Sequence, residues 1–292
     1  IFLNAIGPTW DGNEVWLITF GGALFAAFPS AYATIFSTFY TPFMMLLVAL
    51  IFRAAAMEFR GKLETPVWRS VWDYAFALSS FVAALLFGVA TGNAIRGLAV
   101  DGDMIYRGTF FDFLNPFSVL TGLMTVALFA MHGAYFLRLK TEHELRERVS
   151  TMAKVAAALF AVCYLAASAY GIAFIPNAQG NIGAWLLAIV TLAMLYGAVA
   201  MTKEGKPVRA FLCSAGVIGA LVGLFGIAMY PNLLHSSLDP AYSLSVFNAS
   251  SSQKTLTIML GIVLAALPVV LGYTAFAYYI FRGKVKLDKT SY

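Results

Sequence analysis

The chain has 292 residues, 61% of them hydrophobic and 11% charged, with a formal net charge of +5. An ordinary soluble domain carries about 25% charged residues, so a soluble fold of this size could not cover its surface with so few. A disulfide frame or cysteine metal site is also excluded: the only two cysteines, Cys163 and Cys213, lie in apolar runs and read as small buried side chains.

Roughly 20 apolar residues cross a bilayer, and apolar windows of that length predict an all-α, polytopic membrane protein of eight transmembrane helices. They are placed at 13–35, 38–58, 75–97, 116–138, 153–175, 181–202, 209–230 and 256–281. The chain opens at Ile1-Phe2-Leu3 without an initiator Met, so its natural start is expected upstream.

At the mouth of the first span stands Trp10-Asp11-Gly12-Asn13-Glu14-Val15-Trp16. Asp11 and Glu14 are three apart and share a face if helical; alternatively Asp11 or Asn13 caps the helix start. Gly21-Gly22 offers a small face for close helix approach, and Pro29 falls near the span's end. The second span closes with Phe52-Arg53-Ala54-Ala55-Ala56-Met57-Glu58-Phe59-Arg60. It runs back toward the side from which the first span starts, so Arg53 and Glu58 come to a depth similar to Asp11 and Glu14. At 1.5 Å rise per residue, Arg53 lies about a turn and a half inside the membrane end. An arginine there needs a carboxylate or a water-filled cavity. The pattern predicts an Asp11/Glu14–Arg53 network, which serves either proton entry or a buried ion pair that sets helix register.

Gly88 and Gly92 supply a second small face in the third span. The loop 98–112 carries Asp101, Asp103, Asp112 and Arg107 and reads as a solvated charged loop. Asn115-Pro116 predicts a helix start, with Asn at the cap and Pro at the first helical position. His132 is the only histidine in a span, and it reads as a polar side chain bonded to a neighbouring helix. No two histidines can bracket a haem iron from facing helices, so metals of any redox chemistry are expected in a partner. Pro176-Asn177 separates the fifth and sixth spans, and 231–255, rich in Ser, Asn and Pro, is the largest loop.

Basic residues collect at alternate connections. They are Arg60, Lys62 and Arg69; Arg138, Lys140, Arg146, Arg148 and Lys154; Lys203, Lys206 and Arg209; and Arg282, Lys284, Lys286 and Lys289. By the positive-inside rule that side is cytoplasmic and the C-terminus lies inside. The excess positive charge therefore reads as topology, and no nucleic-acid partner is expected.

Together these stretches resemble subunit II of cytochrome bd-type quinol oxidases. The resemblance is carried by Ile6-Gly7-Pro8, Trp10 to Leu17 and Gly21 to Pro29. Further matches are Phe52-Arg53, Phe59-Arg60-Gly61-Lys62, Trp68-Arg69, Trp72-Asp73, Gly88-Val89-Ala90, Gly92-Asn93 and Leu114-Asn115-Pro116-Phe117. Gly226 to Pro231, Ser251-Ser252-Gln253 and Thr255-Leu256-Thr257 complete them. The family fold implied has nine helices, as two four-helix bundles plus one. The eight spans here would be helices two to nine, because the family's first helix, with its Asp-Gly-Phe-Asp type motif, has no counterpart. In that frame 1–292 is one transmembrane domain, with 1–139 the remainder of the first bundle and 153–292 the second.

The resemblance also implies a haem-free subunit of the bacterial cytoplasmic (inner) membrane. It would stabilise a subunit I that carries haem b, haem d and the quinol site, leaving room for small accessory subunits. Quinol and dioxygen would be the substrates of an electrogenic complex that takes its protons from the cytoplasm. In some members subunit II lines an oxygen route and holds a structural quinone. Trp10, Asp11 and Arg53 fall on family motif positions. They imply a proton path in which Asp11 passes protons inward, Arg53 keeps it ionised, Glu14 and Glu58 assist and Trp10 shapes the wall. The rival readings are a transporter or channel using the same charges, and a pure scaffold. No pair of Pro/Gly-broken helices stands at matching mid-span positions, as the transporter reading would favour.

Overall fold

The computed structural model describes residues 1–175 and 181–285; Pro176, Asn177, Lys286 and Lys289 lie outside the described residues. Ten α-helices run through them: α1 Phe2–Ile6, α2 Trp10–Ala27, α3 Pro29–Thr38, α4 Tyr40–Phe59 and α5 Pro66–Arg96, then α6 Pro116–Lys140, α7 His143–Phe174, α8 Ile182–Lys203, α9 Pro207–Met229 and α10 Gln253–Ile280. Seven are long and apolar enough to cross a membrane, namely α4 to α10.

The first predicted span is the one that differs. The structure divides 13–35 between α2 and α3 at Phe28, whose backbone leaves the helical region at φ −140°, ψ 66°. Pro29 is the reason: it has no N–H to donate and its ring keeps the preceding residue out of the α region. Phe39 makes a second bend, so the next helix begins at Tyr40. α5 and α7 extend well before the predicted 75–97 and 153–175. Their extra turns are helical but charged; Arg148 donates to Glu144 one turn earlier at 2.9 Å, and a search for apolar windows passes over such turns.

Helix starts follow local rules. Asn115 Oδ1 accepts from Ser118 N at 3.0 Å with Pro116 in the first turn, as predicted. Ser252 Oγ does the same for Thr255 N at 3.2 Å at the head of α10. α5 stops at Gly97, whose φ of +96° suits a residue without Cβ.

Interhelical bonds bring the basic connections to one end of the molecule. Arg53 reaches from α4 to Glu14 at the start of α2. Asn13 on α2 donates to Tyr278 Oη near the end of α10 at 3.3 Å. Lys140 ending α6 donates to Phe281 O just past α10, and Arg138 to Thr202 Oγ1 near the end of α8.

At the opposite end, the long connection after α9 is built rather than loose. Strand β1 (Asn232–Leu234) pairs antiparallel with β2 (Leu244–Ser245). Leu98 N donates to His235 O and Ser237 N to Leu98 O, both at 2.8 Å, and Ser251 N caps the end of α2 at Ala27 O, also at 2.8 Å. Leu98, Val100, Phe113, Leu234 and Leu244 close a small core beneath it.

The main core belongs to α6, α7, α8 and α9, around Met131, Tyr135, Val149, Phe160, Ala198 and Val217. Helix α6 also lies along α5 at Gly88 and Gly92. An added Cβ at Gly88 would stand 2.5 Å from Thr121 O and 2.6 Å from Gly122 Cα. Gly21 and Gly22 do not serve that purpose. Phe36 Cζ of α3 stands 3.7 Å from a Cβ at Gly21, an ordinary side-chain contact, and nothing lies within 4 Å of one at Gly22.

Candidate functional site

The polar residues that open α2 divide their partners between two helices. Glu14 accepts from Arg53 of α4, with side chains 26% and 22% exposed. The guanidinium also sits 5.6 Å from the Phe76 ring centroid of α5. A pair about three-quarters covered has lost part of the hydration of both groups, and the contact offsets that loss only while both stay charged. Asn13 meanwhile ties the same turn to α10 through Tyr278.

Asp11 was predicted to share Arg53, but the arginine reaches Glu14, one helical turn further in. Among the described residues Asp11 bonds to nothing; it is exposed and close enough to Glu14 for the two carboxylates to repel. Neither Asp11 nor Asn13 caps the helix: the N-cap is Thr9, and Asp11 lies in the first turn. There a negative charge meets the positive end of the helix dipole. Trp10 begins the helix beside Asp11 and is half-buried. Glu58 lies past Arg53 toward the exposed end of α4 and is itself exposed.

Two connections escaped sequence reasoning. Arg60 binds Asp73 of α5 through both carboxylate oxygens, Nε to Oδ1 at 2.6 Å and Nη2 to Oδ2 at 3.2 Å. Tyr278 also joins the cluster, although a tyrosine in an apolar helix carries no signal until its neighbour is known. His132 behaves as predicted, its Nδ1 2.8 Å from Ser214 Oγ on α9 and its ring stacked on Phe211. Among the described residues no three His, Cys, Asp or Glu side chains converge as a metal ion would need.

On the opposite side, the loop 98–112 is more than a solvated run of charge. Asp101 accepts from the backbone N–H of Ile105 and from Arg107, and Asp112 from the N–H and hydroxyl of Thr109. Mainly through those backbone donors, both carboxyls are held below the usual aspartate range. Buried Asn93 donates to Val89 O and Phe113 O, each at 2.8 Å, and accepts from Asn115 at 2.9 Å. This stitches α5 to the start of α6.

Fold and cluster thus define a polytopic helical membrane protein with a carboxylate–arginine group at its basic end. Residues 1–281 match the family model of the cytochrome bd terminal oxidase subunit II. Cytochrome bd-I ubiquinol oxidase subunit 2 of Escherichia coli (strain K12) is 35% identical, over 98% of this chain and 84% of that protein. Cytochrome bd ubiquinol oxidase subunit 2 of Bacillus subtilis (strain 168) is 36% identical, over 98% and 85%. Among solved structures, the bd oxidase of Geobacillus thermodenitrificans matches 96% of this chain and 86% of its own with a TM-score of 0.75; at 16% identity that likeness concerns the fold. The chain belongs to the cytochrome bd terminal oxidase subunit II family. It is a subunit of a haem-carrying quinol oxidase complex of the inner membrane, and its partner there is subunit I.

Proposed function

We propose that this chain is the haem-free subunit of its oxidase, that it stabilises subunit I, and that it delivers cytoplasmic protons for the reduction of oxygen to water. The observation that carries this reading is the start of α2, where exposed Asp11 stands beside the half-buried Glu14–Arg53 pair. Asp11 takes a proton from solvent and passes it inward. Arg53 acts through Glu14, keeping a fixed charge pair beside the route, while Trp10 walls its entrance and Glu58 stands at its rim. Haem b, haem d and the quinol site belong to subunit I. Dioxygen reacts there, and a structural quinone and small accessory subunits are compatible with the exposed apolar helices.

The proposed topology places the basic end in the cytoplasm, together with the C-terminus, because Arg and Lys of four connections gather there. α2 and α3 together form an eighth, broken span, since α2 is long enough but opens on three polar residues. One transmembrane domain then holds two helical bundles, 1–139 the remainder of the first and 153–292 the second.

The test is Asp11→Asn in the complex purified through this chain. Oxygen consumption with quinol falls while the reduced and carbon monoxide spectra keep their haem b and d bands. Wild-type turnover in the variant would end the proton-path proposal. Haem bands from this chain expressed without subunit I would end the haem-free reading.

A further inference from the structure

A crevice of about 420 Å³ lies at the basic end, where α1, the end of α6 and the chain leaving α10 meet. Its lining combines apolar Pro8, Phe136 and Phe281 with cationic Lys140, Arg282 and Lys284. Arg138 stands behind it, only 5% exposed; one guanidinium nitrogen donates to Thr202 and its Nε meets no partner.

Helix ends account for part of this charge. Lys140 Nζ donates to Phe281 O at 2.5 Å, and Lys284 Nζ to Thr141 O at 2.9 Å and Arg138 O at 3.4 Å, so the two lysines cap each other's helices. An ammonium has three donors, so each lysine keeps capacity for another acceptor. Among the described residues, none of Arg138, Lys140, Arg282 and Lys284 forms an ion pair. Loss of hydration and the nearby Arg146 and Arg138 lower the Lys284 pKa, with only Glu142 opposing them. Among the described residues, Glu142 and Glu147 are the acids that act on Lys284 and Arg138.

We propose that this crevice holds an anionic phospholipid, its phosphate against Lys140, Arg282 and Lys284 and an acyl chain along Phe136 and Phe281. The site stands where α6 and α10 both end, at the level where hydrocarbon gives way to headgroups. A small free anion has no use for the apolar lining, and a zwitterionic headgroup brings no net charge to the three cations.

The experiment is native mass spectrometry of the oxidase complex purified through the full chain. It is stripped of lipid and offered phosphatidylglycerol, phosphatidylcholine or inorganic phosphate. Phosphatidylglycerol is expected to be retained at least about tenfold over phosphatidylcholine. Arg282→Gln, which touches neither lysine cap, should cut that preference about fivefold, the effect of one basic residue near an anionic lipid. Lys284→Arg, which keeps the charge, should preserve it. Equal retention of the two lipids, or an unchanged preference in Arg282→Gln, overturns the proposal. Displacement of the lipid by millimolar inorganic phosphate overturns it too, because the site would then serve a free anion.

Discussion

Helices α6 to α9 close a common core around Met131, Tyr135, Phe160 and Val217, whereas α2 and α10 bury no residue at all. Both sets are helical, and α10 is no less apolar than α6 to α9, so hydrophobicity does not separate it from them. In a bilayer, lipid tails compete with any Leu or Val for contact, and helices associate where small residues let backbones approach. The buried faces of α6 to α9 are accordingly rich in alanine, among them Ala127, Ala134, Ala153, Ala157, Ala198 and Ala210. α10 instead turns Ile258, Leu264, Val269 and Leu271 outward and is tied down at its two ends, at Ser251 before it and through Tyr278, Phe281 and Lys284 where it closes. The first set stabilises the chain; the second is left for lipid or another subunit and carries the polar turn on which the proposed function rests.

Breaking the packed side should have the largest effect. Gly88→Val places a methyl-bearing carbon against the α6 backbone at Thr121 and Gly122, which cannot retreat like a flexible side chain. Overpacking of this kind costs about 1–3 kcal/mol. The expected outcome is a clear drop in the yield and thermal stability of detergent-purified complex, followed by fluorescence-detected gel filtration. An unchanged melting profile would mean that α5 and α6 are not held at this crossing.

Asn93→Ala comes next. It removes the donor to Phe113 O and the acceptor for Asn115, leaving buried groups unpaired at a cost of about 1–3 kcal/mol. The same melting measurement should report destabilisation, with oxygen consumption per haem preserved. If turnover fell and stability held, Asn93 would belong to the functional half of the molecule.

Glu14→Gln tests the other side. Because both partners are about a quarter exposed, the stability effect should stay near 1 kcal/mol, well under the cost of breaking a fully buried pair. Turnover should fall more than stability does, and the double variant with Arg53→Met should be no slower than the slower single change. Additive losses in turnover would show that the two residues act separately.

Smaller still is the acid response of the loop 98–112. Asp101 and Asp112 have folded pKa values below their unfolded ones. Their contribution to stability is therefore present above the unfolded aspartate value of about 3.9 and is lost as pH falls through the lower folded values. Asp112→Asn should lower stability at pH 7, where the carboxylate contributes in full, and flatten the loss of stability seen below about pH 4. The smallest effect is expected from Tyr278→Phe, which removes one exposed hydrogen bond between α10 and α2 at about 0.5 kcal/mol or less.

Much of this protein was already determined by its sequence. Long apolar runs required membrane helices because backbone groups in lipid must be satisfied within the segment. Alternating basic connections required their gathering at one end, and Asn115-Pro116 set a helix start through purely local chemistry. Arg53 needed a carboxylate or a water-filled cavity nearby, since an isolated guanidinium is too costly at that depth, and the structure supplies a carboxylate. Which acid it took was decided only in three dimensions. Asp11 and Glu14 stand three residues apart, and the placement of α4 beside α2 brings Glu14 to the arginine and leaves Asp11 exposed. The strand pair beyond α9 and the reciprocal lysine caps of α6 and α10 likewise rest on contacts between distant segments. Periodicity and composition describe one segment at a time; these features exist only where two segments meet.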